Sequence, residues 1–344
     1  MAKKLREDAE EFDRAQREHS LRRENDRLRA IVKQREDELQ QALSRLDLLE
    51  RIDRLDPTPP KWMVPKKPKS DSVIVVAMLS DTHWDIVVRP EDIGGINAYD
   101  RMIATARTEA WAKQLAALPQ VGPSASIEGL TLLWAGDMMN GPIDAAHMVG
   151  SEDTTLGTML YWSEIAAGAI SLLADAYGHV HIPVVVGNHG RQTMKPRTSL
   201  KARDNLDWAL AHLVARLTAD DDRITWSIDE NPTAEFMVFG DRHVTQHGDE
   251  ARGGGGIGGI WPPLMRLVAR KQQAWTSLGK PFRTLWMGHW HTATWGAADQ
   301  FVVNGSLIGP DGYSMGLNLA PERPQQVAAF LTPGGLEWRT TIRV

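Results

Sequence analysis

Five short polar segments, Asp81-Thr82-His83, Gly136-Asp137, Gly187-Asn188-His189, His247-Gly248 and His289-Trp290-His291, lie far apart in the chain, each after or near an apolar run. Their carboxylate, amide and imidazole groups are the oxygen and nitrogen donors that hard and borderline divalent cations take. An Asp-x-His at a strand end can turn both side chains toward one cation, and the two oxygens of Asp137 can bridge a pair. His289 and His291 stand on one side of an extended segment. Two cations about 3.5 to 4 Å apart suit hydroxide attack on phosphorus, because they stabilise both the nucleophile and the phosphoryl oxygens. Each segment alone has a plainer explanation, an acidic loop cap or a locally bonded His; their recurrence at strand ends favours metal chemistry. The predicted cofactors are two divalent ions, Mn²⁺ or Mg²⁺, with other divalent transition metals open.

The elements that must place these groups are legible as apolar patterns. Residues 73–79 form a continuous apolar run suited to a buried strand, which delivers Asp81 and His83 to the next loop. Residues 130–134 do the same for Asp137, and 181–186 for Asn188 and His189. Helical patterns cover 97–117, 159–176 and 204–218. This is an α/β alternation whose ligand candidates emerge beyond strand carboxyl ends, where an open sheet offers its site. Further strands are predicted at 224–228, 235–239, 242–246, 284–287, 300–303, 327–331 and 336–342, with a helix over 262–277. These later strands suggest a second sheet packed on the first, with helices outside.

The 344 residues carry a net charge of −5, so no global field attracts nucleic acid and any such binding needs local basic patches. There is no cysteine, which excludes disulfides and thiolate metal sites. The amino terminus is charged (Lys3, Lys4, Arg6, Glu7) without an apolar stretch behind it, so neither a secretion signal nor a membrane anchor is predicted, and a cytoplasmic protein is expected. Residues 1–56 form a highly charged arm. Leu21, Leu28, Ala42 and Leu49 share one heptad register and Val32, Leu39 and Leu46 its partner, with Asn25 and Arg35 as interruptions. The pattern predicts a helical coiled-coil arm and a homodimer formed through it. Residues 57–70, with five prolines and four lysines, read as a stiff linker, and the catalytic domain is expected over 71–344.

The ordered set of segments, with Asn304-Gly305-Ser306 after the last histidine pair, resembles the calcineurin-like metallophosphoesterase superfamily, and is similar to bacteriophage-encoded members described as DNA repair exonucleases. The resemblance implies a four-layer α/β fold of two facing sheets flanked by helices. It implies a first metal held by Asp81, His83, Asp137 and His291, and a second by Asp137, Asn188, His247 and His289. Asp137 would bridge, and His189 would be a catalytic residue that contacts a phosphoryl oxygen or protonates the leaving oxygen. The setting would be a host cytoplasm if the chain is bacteriophage-encoded. Two positions depart from the pattern: Gly190 where many relatives carry an acid, and Asp249 where a histidine often follows the His-Gly pair.

Candidate substrate contacts cluster nearby. Arg191, Lys195, Arg197, Lys201 and Arg203 follow the third segment and are placed to hold phosphates, with a solvated basic loop as the alternative. Trp84 and Trp290 sit inside ligand segments, where base stacking and core packing are both open. Arg252 lies in a glycine-rich run, 251–259, that permits close phosphate approach or closure of a loop over substrate, with a structural turn around Trp261-Pro262-Pro263 as the alternative, and that lacks the Lys and Ser or Thr of a P-loop. The predicted activity is a two-metal phosphoester hydrolase, foremost a nucleic-acid phosphodiesterase such as a DNA exonuclease. The alternatives are a phosphatase or phosphodiesterase for a small nucleotide, and a scaffold of weak activity.

Overall fold

The computed structural model describes residues 72–122, 125–141, 150–193, 195–251, 253, 259–317 and 319–344, with Asn25, Leu28, Arg29 and 31–36 of the arm. The chain divides into two units, Met1–Leu55 and Asp56–Val344. In the first, the described residues are helical and exposed, Leu28, Ile31 and Val32 included. The rest of the predicted coiled coil, and the linker over 57–70, lie outside the described residues.

In the second unit, β1 (Ser72–Leu79) is buried along its whole length. It is central, with β2 (Ser126–Trp134) paired to one edge in parallel and β10 (Gln325–Thr332) to the other antiparallel, and because residues on both of its faces are buried an unbroken apolar run is what the position requires. With β3 (Val180–Val184), β4 (Ile224–Ile228) and β11 (Gly335–Arg343) they make a six-stranded sheet in the order β11-β10-β1-β2-β3-β4. A second sheet has the order β5-β6-β7-β9-β8, from β5 (Thr233–Val238), β6 (Asp241–Gln246), β7 (Thr284–Met287), β8 (Thr294–Trp295) and β9 (Phe301–Val303). The sheets face each other across one core, in which Val76, Met78 and Ala329 meet Phe236, Trp286 and Val302.

Helices complete the layers. The helices α1 (Arg101–Val121), α2 (Thr155–Tyr177) and α3 (Leu206–Leu217) pack side by side against the first sheet. On the second sheet lies α4 (Trp261–Ser277), its Leu264 and Val268 buried with Val244, Leu285 and Phe301. A short α5 spans Gly312–Gly316. By length and composition α2 would cross a membrane, but here it packs between α1 and α3. The expected facing sheets flanked by helices are present. The allocation of late strands differs from the sequence expectation: β4, β10 and β11 extend the first sheet. β10 is apolar on both faces, as a strand beside β1 must be.

The topology decides where the chemistry can sit. β1, β2 and β3 run parallel, as do β6 and β7, so the loops leaving their carboxyl ends gather the polar segments at one edge of both sheets.

Candidate metal centre

The loops after β1 and β2 are tied together by backbone bonds from Asp81 to Gly136 (3.0 Å) and from His83 to Asp137 (3.1 Å). The loop after β3 abuts them so closely that a Cβ on Gly187 would lie 2.0 Å from Asp137 Oδ1 and 2.3 Å from its backbone nitrogen. The backbone N–H of His189 donates to Asp137 Oδ1 (2.7 Å), and that of His289 to Asp81 Oδ1 (2.9 Å). Asn304 braces the assembly: its amide donates to Ser80 Oγ (2.8 Å) and to Gln326 Oε1 (2.6 Å), and Ser80 in turn donates to Asp81 Oδ2.

Three overlapping groups of potential ligand atoms result: Asp81, His83 and His291; His83, Asp137 and His189; Asp137, His247 and His289. His83 Nε2 faces His291 Nε2 at 3.1 Å, and His291 Nε2 lies 3.4 Å from Asp81 Oδ1. His247 Nδ1 donates to Ala135 O (2.9 Å), which turns Nε2 to within 2.8 Å of Asp137 Oδ2, off the line of a hydrogen bond. Asn188 Oδ1 is buried without a hydrogen-bond partner. Asp81, His83, Asp137, His289 and His291 all have positive φ, between 46° and 71°. Each such residue costs on the order of 1 to 2 kcal/mol, and strain of this kind concentrates where geometry serves a site.

The charge balance suits cations. Burial works to raise the Asp137 carboxyl, yet the neighbouring His247, His189 and His83 hold it well below the usual carboxylate range. Burial would lower His247, but Asp137 outweighs it and pushes the imidazole up to about 10; Asp81 likewise outweighs burial at His291 and raises it. Burial and His247 push His289 down to about 4, and burial with His189 and His291 drives His83 well below its ordinary value. The two carboxylates thus demand positive charge, while two of the imidazoles are held neutral, the form that ligates metal. An amide oxygen without a donor, converging imidazole nitrogens and charge-hungry carboxylates fit a divalent pair.

The substrate candidates separate. Trp84 is fully buried, stacked on Trp162 (centroids 4.6 Å, 3°) with its indole N–H donating to Thr108, so base stacking is ruled out and it is a core residue. Trp290 is partly buried against the core beneath the second sheet, next to His289. Arg191 donates to Asn188 O (3.1 Å) and Thr193 O (2.9 Å), fastening the loop that carries Asn188. Arg197 pairs with Asp204 (3.3 Å), Lys201 with Asp249 (3.0 Å) and Arg203 with Glu230 (2.7 Å). Lys195 is exposed. Arg252 lies outside the described residues. The departures from the family pattern find partners: Asp249 is the acceptor for Lys201, and a Cβ on Gly190 would lie 2.2 Å from Asn205 Oδ1.

Asp207 was not foreseen. It is fully buried, and its Oδ2 accepts from the backbones of Asp137 and Gly187 (both 2.9 Å) while Oδ1 accepts from Met138 (3.1 Å). Asn205 caps α3 through Asp207 N and donates to Gly187 O (2.8 Å). One carboxylate therefore clamps the loops bearing Asp137 and Asn188. Burial and the charge of Asp137 raise it to about 6. The visible signal was Asn205 as a helix cap with an acid in the first turn, which reads as ordinary capping.

No protein-family model and no curated protein matches the chain. Among solved structures, an archaeal phosphodiesterase is similar at 11% identity and a TM-score of 0.36, over 78% of this chain and 99% of its own. A dimetal phosphatase from Danio rerio gives 10% and 0.35 over 78% and 98%, and Vps29 from Entamoeba histolytica complexed with zinc gives 10% and 0.30 over 78% and 99%. These are distant likenesses.

Proposed function

We propose that the protein is a two-metal-dependent phosphoester hydrolase acting on phosphodiesters of nucleic acid, with DNA exonuclease as its foremost form. The carrying observation is the convergence of seven ligand-type side chains at one sheet edge, with Asn188 Oδ1 unpartnered and five of the seven in left-handed backbone. Asp81, His83, Asp137 and His291 would hold one cation, and Asp137, Asn188, His247 and His289 the other. When bound, the pair supplies an activated water and neutralises charge on the phosphoryl oxygens. Ala135 O fixes the His247 tautomer so that Nε2 is the ligating atom. His189, edge-on to His83 at 4.4 Å, would give a proton to the leaving oxygen. The ions are Mn²⁺ or Mg²⁺, the chain pairs through its arm, and the setting is cytoplasmic.

A second reading, hydrolysis of a small nucleotide, draws support from the paired cations beside Asn188, since carboxylates already offset Arg197 and Lys201. The deciding test is a metal-screened assay on single- and double-stranded DNA, RNA, cyclic nucleotides and a phosphomonoester. Preference for a DNA polymer supports the first reading, preference for a small nucleotide the second, and hydrolysis of none with any divalent metal overturns both.

A further inference from the structure

The turn that carries His247 away from β6 is held from two sides by lysines. On one side Gln246, buried at the end of β6, accepts from Lys271 of α4, which also donates to Thr233 Oγ1 (2.6 Å). On the other, Lys201 Nζ donates to both oxygens of Asp249 (3.0 Å each) and lies 3.7 Å from Glu250 Oε1. Glu250 closes the network by accepting from Gln246 Nε2 (2.9 Å). The Lys201 and Asp249 side chains are only 20% and 18% exposed, unlike the open surface pairs that contribute little. Removing one partner therefore leaves the other largely desolvated and uncompensated.

Lys201 is also tied to the stretch bearing Asn188. Its turn is pinned back on that stretch by the backbone N–H of Gln192, which donates to Asp204 O (3.3 Å), and that of Leu206, which donates to Gly190 O (2.7 Å). Arg191 in turn donates to Asn188 O (3.1 Å). Asn188, Arg191, Lys201, Asp204 and Asp249 line one recess, so the ion pair stands beside Asn188. It joins the loop after β3, in the first sheet, to the turn after β6, in the second.

We infer that Lys201 and Asp249 are a positioning pair for the second cation: they set the spacing between Asn188 and His247, and with it the affinity of the site those two ligands share. This role presupposes the two-cation reading of the centre. A metal site tolerates only about 0.2 Å in its ligand distances, and Asn188 and His247 come from different sheets, so their spacing depends on how the two loops are joined. The other proposed site has ties of its own: Asp81 and His83 share one loop, and the backbone N–H of His289, two residues from His291, donates to Asp81. Charge alone predicts the opposite sign. Lys201 is a cation beside the centre, and its removal without loss of geometry would tighten the binding of a divalent ion.

The test titrates Mn²⁺ into the chelator-treated full chain by isothermal calorimetry. The parent should show two binding events. In both Lys201→Met and Lys201→Gln one event weakens at least about tenfold while the other is unchanged, and Lys201→Arg, which keeps the cation, recovers most of the loss. The weakened event is the one that Asn188→Ala removes, and adding Lys201→Met to Asn188→Ala changes nothing further. Electron paramagnetic resonance gives a readout independent of turnover: the coupled two-manganese signal appears in Lys201→Met only at higher Mn²⁺ than in the parent. Urea denaturation in chelator verifies folding. Parental affinity in both events, tighter binding, or equal weakening of both overturns the inference. So does a raised KM for bis(4-nitrophenyl) phosphate with both affinities unchanged, which would make Lys201 a substrate contact. A parent protein that binds no Mn²⁺ overturns the reading of the centre and the positioning role with it, whereas two parental events that ignore Lys201 overturn the positioning role alone.

Discussion

Gly187→Ala is the sharpest perturbation the fold offers, because one methyl group would enter the contact between two ligand-bearing loops. The added Cβ would meet Asp137 Oδ1 at 2.0 Å, Asp137 N at 2.3 Å and Asp137 Cγ at 2.6 Å. Ordinary carbon contacts begin near about 3.5 Å, so the loops must part by roughly 1 Å or more. Metal–ligand distances tolerate only about 0.2 Å. In the proposed centre Asp137 would be the shared ligand, so the displacement would reach both cation sites. Overpacking of this kind costs about 1 to 3 kcal/mol in stability, and the loss of metal affinity should be the larger effect, at least a hundredfold. Gly168→Ala is the matched control: it lies in α2 with no atom near its added methyl, and should gain about 0.5 to 1 kcal/mol. Isothermal titration with Mn²⁺ and urea denaturation measure the two quantities. A Gly187→Ala protein that binds Mn²⁺ with parental stoichiometry and affinity would refute the loop contact as the determinant of the site.

Other consequences can be checked alongside. Asp207→Asn replaces one acceptor oxygen by a donor facing backbone N–H groups; metal affinity should drop about 10- to 100-fold with unchanged far-UV circular dichroism, and parental affinity would remove Asp207 from its clamping role. Asp137→Asn would weaken the proposed bridge and should abolish measurable turnover, which a hydrolysis assay reads directly. Burial pushes His181 down to about 3, and His212 and His243 down to about 4. Between pH 6.5 and 4 the unfolded chain therefore binds protons that the folded one refuses. This contribution to stability is intact above pH 6.5 and lost as pH falls toward 4, at about 1.4 kcal/mol per unit for each histidine. Urea midpoints in chelator should fall over that interval; a flat profile contradicts the buried, neutral state. If the arm pairs, light scattering will show a dimer for the full chain and a monomer for residues 71–344, and two monomers would dismiss the coiled coil.

Much of this architecture could be read from the chain because strand burial leaves a direct imprint. The unbroken apolar run over 73–79 marked β1, and the strands at 224–228 and 284–287 have the bounds their patterns indicate. Sheet membership was harder: β10 joins β1 across some 250 residues of sequence, and no local period encodes a partner that distant. β8 has two residues and α5 five, too few for any periodicity. At the site, ligand-type residues are visible because their chemistry is in their side chains. Asp207 is not, because its role lies in three backbone donors drawn from loops 20 and about 70 positions away. The same limit hid the pairing of Lys201 with Asp249 and the burial of Trp84; charge and aromaticity are written in the sequence, but their neighbours are set by the fold.

Two cations at one sheet edge are the core of this account, and a crystal soaked in Mn²⁺ and measured for anomalous scattering tests them most directly. Two peaks are predicted, about 3.5 to 4 Å apart, with Asp137 touching both, His83 and His291 on one side, and Asn188 and His247 on the other. No peak at the site, or a single peak that leaves Asn188 and His247 without a ligand contact, would contradict it.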